Sequence, residues 1–262
     1  MTPVILHHGL FGTDEIRLGP LRRSYWHNID RAIAARGHAV LATRVHPTAG
    51  VETRARQLKQ QILERIDQLG RPNRRAVLIA HSMGGLDARY MISKLGMARH
   101  IETLVTIATP HRGSPYADWI VRHLGDRFGV LRFVTQLGLD LGAGADLTTA
   151  ACARFNEEVL DHPDVRYASV TCVRPRHQMP AFAIHSHSVV EAAEGDNDGL
   201  VSATSGAWGT HLGSWPIDHW QVINRHYTIR YRTIDVAPRY LELLENILAK
   251  ENAGVPEEAP AF

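Results

Sequence analysis

Residues 76–85 read AVLIAHSMGG, an apolar run that leads into a serine with alanine two positions before it and glycine two positions after it. The run has the length of one buried strand, and the residues after Gly85 are typical of a helix. A serine on the sharp turn between such a strand and helix has a strained backbone, and larger flanking residues would crowd both elements. The stretch therefore predicts that Ser82 is a nucleophile, with a glycine-rich turn of no chemical role as the alternative. Ala80 replaces the usual first glycine, and as the smallest residue with a Cβ it still lets the turn close.

Strand-like and helix-like segments alternate along the first part of the chain. Strands are predicted at 4–6, 39–45, 75–79 and 101–107. The segments between them have helical spacing of apolar residues, with Gly37 ending the first helix and Gly70 and Pro72 ending the second. Such alternation requires right-handed crossovers, so the sequence predicts an α/β fold with a mostly parallel central sheet and helices on both faces. Further strands are predicted at 166–173 and 182–184, and a closing helix at 238–249.

The alternation stops after Ser114. Residues 116–151 combine apolar side chains with many glycines. One interpretation is a helical insertion that packs on the core, and the other is a mobile lid whose apolar underside covers a substrate cleft. We favour the lid, within a single domain of residues 1–262 that ends in a flexible tail over 252–262.

Composition limits the classes of partner. The chain has 262 residues, 44% of them apolar and 21% charged, which fits one globular domain with a sizeable core. A net charge of +2 favours neither nucleic acid nor an anionic membrane as a partner. No apolar run approaches the roughly 18 residues of a membrane span. Strand-like sequence from Pro3 leaves no room for a signal peptide, so we expect a cytoplasmic protein, or a secreted one whose leader has been removed. Cys152 and Cys172 could pair or remain as buried thiols.

A serine nucleophile needs a histidine that takes its proton and an acid that orients the histidine. In the predicted fold these residues follow in the order serine, acid, histidine. Asp198, within the stretch 195–201 (GDNDGLV), and His219 meet that order and follow strand-like sequence. His211 and His226 are alternative bases, and Asp196 and Asp218 are alternative acids.

Two segments could suggest a metal. A calcium loop that begins at Asp196 would need an acidic residue at position 207, which is alanine. His185 and His187 have no acidic or thiol residue beside them, and we interpret them as polar residues at the end of a strand. The sequence therefore predicts no metal and no cofactor.

The reaction would also need donors for an oxyanion. The expected donors are the N–H of Met83, directly after the nucleophile, and one N–H from the loop after the first strand. That loop is His8–Gly12, whose glycines let the backbone curl toward the serine, and Leu10 is its predicted donor.

Several motifs in the same order make the chain similar to a family. It resembles the bacterial triacylglycerol lipases and esterases of the α/β-hydrolase superfamily over roughly residues 3 to 226. The segments that carry the resemblance are 8–12 (HGLFG), 80–85 (AHSMGG), 108–114 (ATPHRGS), 153–156 (ARFN), 197–201 (NDGLV) and 218–219 (DH).

This resemblance implies a serine ester hydrolase that cleaves carboxylic esters of acylglycerols through an acyl-enzyme. In it Ser82 is the nucleophile, His219 the base and Asp198 the acid, and transient contact with a lipid interface is expected. A short-chain carboxylesterase or a polyester depolymerase is the alternative enzyme, and a non-catalytic binding module of the same fold is the alternative outside enzymes.

Two departures separate this chain from the secreted lipases it resembles. Those lipases hold a calcium ion near the catalytic histidine with an aspartate two residues after it, where this chain has Gln221. Their disulfide, whose second cysteine follows the catalytic aspartate, has no counterpart here.

Overall fold

A parallel sheet is the centre of the computed structural model, which describes residues 2–12, 15–18, 21–66, 75–125, 142–225 and 234–253. The strands in these residues are β1 (Pro3–His7), β2 (Glu15–Leu18), β3 (Leu21–Ser24), β4 (Ala39–Ala42), β5 (Ala76–His81), β6 (Ile101–Ile107), β7 (Arg166–Cys172) and β8 (Thr210–Trp215). The helices are α1 (Ile29–Ala35), α2 (Val51–Arg65), α3 (Gly84–Lys94), α4 (Pro115–Gly125), α5 (Gly142–Asp146), α6 (Thr149–Glu158), α7 (Ile184–Glu194), α8 (Ala203–Gly206) and α9 (Ala237–Ala253). Short 3-10 turns cover Ala98–His100, Arg176–Gln178, Ala181–Ala183 and Gln221–Ile223.

The six strands of the sheet lie in the order β4-β1-β5-β6-β7-β8, and each pairs in parallel with its neighbours. Successive side chains of a strand point to opposite faces. Val77 and Ile79 of β5 pack with α1 and α9, whereas Leu78 packs with α2 and α3. Helices therefore cover both faces, as the sequence predicts, and the carboxyl ends of β1, β5, β6 and β7 meet at one edge, where open α/β sheets bind their ligands.

Most predicted elements of the first half are confirmed. The strands at 4–6, 75–79 and 101–107 correspond to β1, β5 and β6, and the strand at 39–45 ends early, at Ala42. Gly37 has a φ of +85°, which suits a residue just past the end of α1. The predicted stops at Gly70 and Pro72 lie outside the described residues.

Three features differ from the prediction. Residues 182–184 are not a strand: they pass from a 3-10 turn into α7, because Ser186, His187 and Val190 recur at helical spacing on the buried face. His185 and His187 are consequently helical and do not end a strand. The sequence pattern also missed the antiparallel β2–β3 hairpin and the edge strand β8.

The segments predicted as lid and tail are only partly described. The structure covers 116–125 and 142–151 of the first, and residues 126–141 lie outside it. Helix α9 extends to Ala253, two residues into the predicted tail, and 254–262 lie outside as well. Among the helices that the structure describes, none is both long and apolar enough to span a bilayer. Cys152 and Cys172 are both buried and free.

Candidate active site

Ser82 sits on the turn between β5 and α3 with a φ of +57°, a left-handed conformation that non-glycine residues rarely adopt. Such a conformation costs on the order of 1–3 kcal/mol and persists only where its surroundings enforce it. Here the serine N–H donates to the carbonyl of Ile107, and the serine carbonyl accepts from the Thr109 hydroxyl at 2.8 Å. The strained turn that the sequence predicts is therefore present and is held by β6 and the loop after it.

Three of the predicted site residues meet at this turn. Ser82 Oγ lies 2.9 Å from Nε2 of His219, and Nδ1 of His219 lies 2.8 Å from Oδ2 of Asp198. Because an ionised carboxylate only accepts, the Nδ1–H of His219 donates to Asp198 and its Nε2 is left to accept the serine proton. The other carboxylate oxygen accepts from the N–H groups of Leu200 and Val201. These bonds fix the fully buried carboxylate of Asp198 toward the imidazole.

The alternative residues do not meet the serine. Asp196 is exposed, and His211 Nε2 bonds the hydroxyl of Thr171 on β7. Asp218 directly precedes His219, but one of its oxygens accepts from the N–H groups of Trp220 and Gln221. His226 lies outside the described residues.

The loop predicted to supply an oxyanion donor packs directly on the serine. A Cβ on Gly9 would lie 2.6 Å from the Cβ of Ser82, and a Cβ on Gly84 would lie 2.7 Å from the carbonyl of His8. Both positions therefore require glycine for the loop and the turn to touch. In the part of the chain that the structure describes, no acceptor is bonded to the N–H of Leu10 or of Met83.

A buried ion pair that the sequence did not reveal supports this loop. Arg54 of α2 is fully buried and donates from Nε to Asp87 of α3 at 2.8 Å. Its Nη2 donates to the carbonyl of His8 at 2.8 Å and to that of Gly9 at 3.3 Å. His7 Nε2 lies 3.0 Å from the same carboxylate of Asp87. The pair links the loop after β1 to the helix after the serine. Its residues lie far apart in the sequence, so no local sequence pattern predicts the pair.

His81 and Tyr25 form a second unpredicted layer beside the imidazole of His219. The rings of His81 and His219 are 4.7 Å apart, and the Tyr25 hydroxyl lies 2.8 Å from Nδ1 of His81. The N–H of Gly9 donates to the same hydroxyl at 3.3 Å. Burial, followed by the charge of His219, holds the pKa of His81 well below its ordinary value. His81 is therefore a neutral neighbour of His219.

A cavity of about 400 Å³ opens onto Ser82 and His219. Most of its walls are apolar, and Arg225 contributes a charged group at its edge. The described ends of the predicted lid supply one wall. The apolar lining residues are Leu10, Phe11, Pro110, Ala117, Ile120, Leu147, Leu200, Val201, Trp220 and Ile223. The site can therefore hold an apolar chain next to a serine–histidine pair.

The side chains near His219 do not fit the calcium site of the secreted lipases. Asp218 and Gln221 both face the guanidinium of Arg174, whose Nη1 donates to Gln221 and lies 3.7 Å from the Asp218 carboxylate. The polar side chains of Asp218 and Gln221 therefore already contact a cationic group. Elsewhere in the described residues, no three histidine, cysteine or acidic side chains converge as metal ligands would.

Comparisons with known proteins show which family this sequence is similar to. A family model described as a PGAP1-like alpha/beta domain matches residues 51–136. Triacylglycerol lipase 2 of Saccharomyces cerevisiae is 32% identical over 247 residues, which cover 88% of this chain and 75% of the yeast protein. A triacylglycerol lipase of Pseudarthrobacter phenanthrenivorans is 32% identical over 121 residues, or 45% of this chain and 36% of that protein.

The solved structure of the metagenomic carboxyl esterase MGS0156 has the same fold. It superposes with a TM-score of 0.76 at 20% identity, over 95% of this chain and 76% of the esterase. The two proteins therefore have the same fold.

Proposed function

Since the chain belongs to the lipase and esterase family of the α/β-hydrolase superfamily and is a carboxylic ester hydrolase, we propose that Ser82, His219 and Asp198 are its catalytic triad. The observation that carries the proposal is the line of hydrogen bonds from the serine hydroxyl through the imidazole to the carboxylate. With the Nδ1–H of His219 donated to Asp198, Nε2 can accept the serine proton, as the chemistry requires.

In the proposed first half-reaction, the Oγ of Ser82 attacks the ester carbonyl carbon while its proton moves to Nε2 of His219. Asp198 accepts from the Nδ1–H throughout and so stabilises the imidazolium that forms. The same imidazolium then protonates the departing alcohol, which leaves the acyl group on Ser82.

In the second half-reaction, water attacks the acyl carbon and gives its proton to Nε2 of His219. The bond between the acyl carbon and Oγ then breaks, His219 returns the proton to Oγ of Ser82, and the acid is released. The N–H groups of Leu10 and Met83 are the proposed donors to the oxyanion in both steps. Loss of one such donor typically costs about 10²–10³ in kcat. The contact between Gly9 and Ser82 and the support from Arg54 favour this assignment, because they hold the loop beside the nucleophile.

The proposed domain organisation is one α/β-hydrolase domain over 1–262, with 116–151 as a lid and 252–262 as a tail. The lid assignment is supported by the side chains of Tyr116, Ala117 and Ile120 on α4, which line the cavity. Gly144 of α5 and Leu147 line it from the other described end of the segment.

Acylglycerols are the proposed substrate. The apolar lining of the cavity supports a fatty acyl chain, and the yeast relative is named a triacylglycerol lipase. Phe11, beside the cavity, is 71% exposed, and Phe182 packs edge-on against Trp220 of the cavity wall. These aromatic side chains support contact between the cavity mouth and a lipid surface.

Ser82→Ala tests the triad, with Ser188→Ala as its control. Ser188 is a half-buried serine on α7 whose hydroxyl donates to the carbonyl of Ile184 in the same helix. We expect Ser82→Ala to lose ester hydrolysis down to the residual of about 10³–10⁴ over water that binding and the oxyanion donors supply. It should also lose labelling by an organophosphonate, whereas Ser188→Ala should keep both. Full hydrolysis by folded Ser82→Ala would refute the triad.

The substrate is tested separately, by hydrolysis of a triacylglycerol emulsion and of p-nitrophenyl esters of increasing chain length. We expect hydrolysis of the emulsion and undiminished rates with long acyl chains. Activity restricted to short, dissolved esters would instead identify a carboxylesterase, and release of acid from a polyester film alone would identify a depolymerase.

A further inference from the structure

The proposed base and the proposed acid stand on different loops, so their alignment depends on what joins those loops. His219 lies in a turn after β8, and Asp198 lies in a loop after α7. One direct backbone bond joins them, from the N–H of His219 to the carbonyl of Asp198 at 3.0 Å. One residue beyond the end of β7 contacts both loops as well, the loop of His219 with its side chain and the loop of Asp198 with its backbone.

That residue is Arg174, which is 8% exposed. Its backbone N–H donates to the carbonyl of Asn197 at 2.9 Å, directly before Asp198. Its own carbonyl accepts from Nε2 of His187 at 2.9 Å. The backbone of Arg174 is therefore fixed against the loop that carries the acid.

The guanidinium of Arg174 reaches the loop that carries the base. Nη1 donates to the carboxamide oxygen of Gln221 and lies 3.7 Å from Oδ2 of Asp218. Nε donates to the carbonyl of Gln178 at 2.9 Å, which fixes the direction of the side chain. Asp218 and Gln221 also bond each other's backbone N–H, so the guanidinium contacts both ends of the turn that contains His219.

The charges around Arg174 also favour a cation at this position. Asp198 and Asp218 are both buried carboxylates. Burial raises the pKa of Asp218, the charge of Asp198 adds to that rise, and the bond from Gln221 and the charge of Arg174 oppose it. Two buried carboxylates beside an imidazole need a positive charge near them, and buried charges in proteins are paired or bind a metal.

We propose that Arg174 is a positioning residue, an internal cation that holds the turn of His219 in register with the loop of Asp198. The inference rests on the proposed triad, because it assigns Arg174 a role in aligning two of its members. Arg174 itself touches neither Ser82 nor the imidazole in the described contacts.

Arg174→Met removes the guanidinium but keeps an unbranched side chain, and Arg174→Lys keeps the charge without the geometry to bridge Gln178 and Gln221 together. Arg75→Met is the matched control. The guanidinium of Arg75 also donates to backbone carbonyls, those of Ala98 and Ile101, but it lies at the amino ends of the strands, away from Ser82. For each variant we would measure kcat and KM on a soluble p-nitrophenyl ester, the rate of Ser82 phosphonylation and the Tm.

We expect Arg174→Met to lower kcat and the phosphonylation rate by about 10²-fold, the usual effect of a misplacement of about 1 Å, with KM little changed. Arg174→Lys should lose less, and Arg75→Met should lower the Tm without lowering kcat. Chelator or added CaCl₂ should leave wild-type kcat and Tm unchanged. Wild-type kcat in both Arg174 variants, or a wild-type enzyme that a chelator inactivates, would overturn the proposal.

Failure of the fold and failure of the triad can be distinguished from failure of the proposed role of Arg174. If Arg174→Met does not fold, the kcat of Arg174→Lys alone carries the comparison with Arg75→Met. If Ser82→Ala retains hydrolysis, the proposed triad fails; if Ser82→Ala is inactive while both Arg174 variants keep wild-type kcat, only the role of Arg174 fails.

Discussion

At the scale of single residues, the two oxygens of Asp198 have separate tasks. Oδ1 accepts from two backbone N–H groups, and Oδ2 accepts from His219. An asparagine at this position must turn its NH₂ group toward one of these donors, so one bond becomes a donor–donor contact. Asp196 provides the matched comparison, because it is an acid of the same loop whose side chain is exposed.

Asp198→Asn should therefore lower kcat by about 10⁴-fold, because the favoured tautomer of His219 would no longer accept the serine proton. Asp196→Asn should leave kcat within a few-fold of the wild type. The measurement is kcat for both variants on a soluble ester, at a temperature where both are folded. A larger loss at Asp196 than at Asp198 would mean that the acidic loop has a different task.

Residues that belong to a local motif could be predicted from the sequence, and residues that act through long-range contacts could not. Ser82 is recognisable because alanine, glycine and an apolar strand surround it in sequence. Arg54 and Asp87 lie 33 residues apart and have no sequence signal of their own. Arg174 has no sequence signal either, because its partners lie in turns that are close to it only in the folded chain.

At the scale of elements, burial on both faces decided which strands could be predicted. β1 and β5 are buried throughout and read as continuous apolar runs. β8 is an edge strand with partly exposed side chains and contains Gly213, whose φ is +116°. It has neither an apolar run nor a strict alternation, so the sequence gives no signal for it.

The elements at the two described ends of the proposed lid are joined to each other. Asp118 of α4 accepts from the N–H of Thr149 at 2.9 Å and from its hydroxyl at 2.7 Å. Directly before α4 in the sequence, the Ser114 hydroxyl donates to the carbonyl of Leu200. α4 also packs on α7, where the rings of Tyr116 and Trp119 contact the ring of His185. The lid hypothesis requires that these contacts open at low free energy.

The lid hypothesis then predicts faster amide hydrogen exchange in residues 116–125 than in β5. A phosphonate with a long alkyl chain, bound to Ser82, should slow exchange in 116–125, because its chain would lie against Tyr116 and Ile120. Exchange in α2, which does not line the cavity, should stay unchanged. The measurement is exchange mass spectrometry with and without the phosphonate. Protection of 116–125 equal to that of β5 in the free protein would argue for a fixed insertion.

At the scale of the whole molecule, the fold buries several histidines in neutral form. Burial is the leading cause that lowers the pKa of His7, His8, His81 and His111 from the ordinary value of 6.5. His7 lies in β1, His8 follows β1, His81 ends β5 and His111 follows β6, so these side chains belong to the buried packing around the site. Protonation of these histidines would require this packing to open.

This arrangement makes the folded state sensitive to acid. Below pH 6.5 the unfolded chain binds more protons at these histidines than the folded chain does, because their pKa values are lowered in the fold, so the free energy of unfolding falls as the pH falls. The slope is about 1.4 kcal/mol per pH unit for each such histidine. Above pH 6.5 both states are neutral at these positions, and their contribution to the slope vanishes.

His111→Gln should therefore reduce the slope of stability against pH between 6.5 and 5, by about 1.4 kcal/mol per pH unit. His111 is fully buried and bonds the Thr106 hydroxyl through Nε2, a contact that the glutamine amide can reproduce. His185→Gln is the control, because His185 is exposed on α7 and its removal should leave the slope as it is. Urea unfolding at a series of pH values measures both. An unchanged slope in His111→Gln would mean that His111 takes up its proton in the folded state and does not contribute to the acid sensitivity.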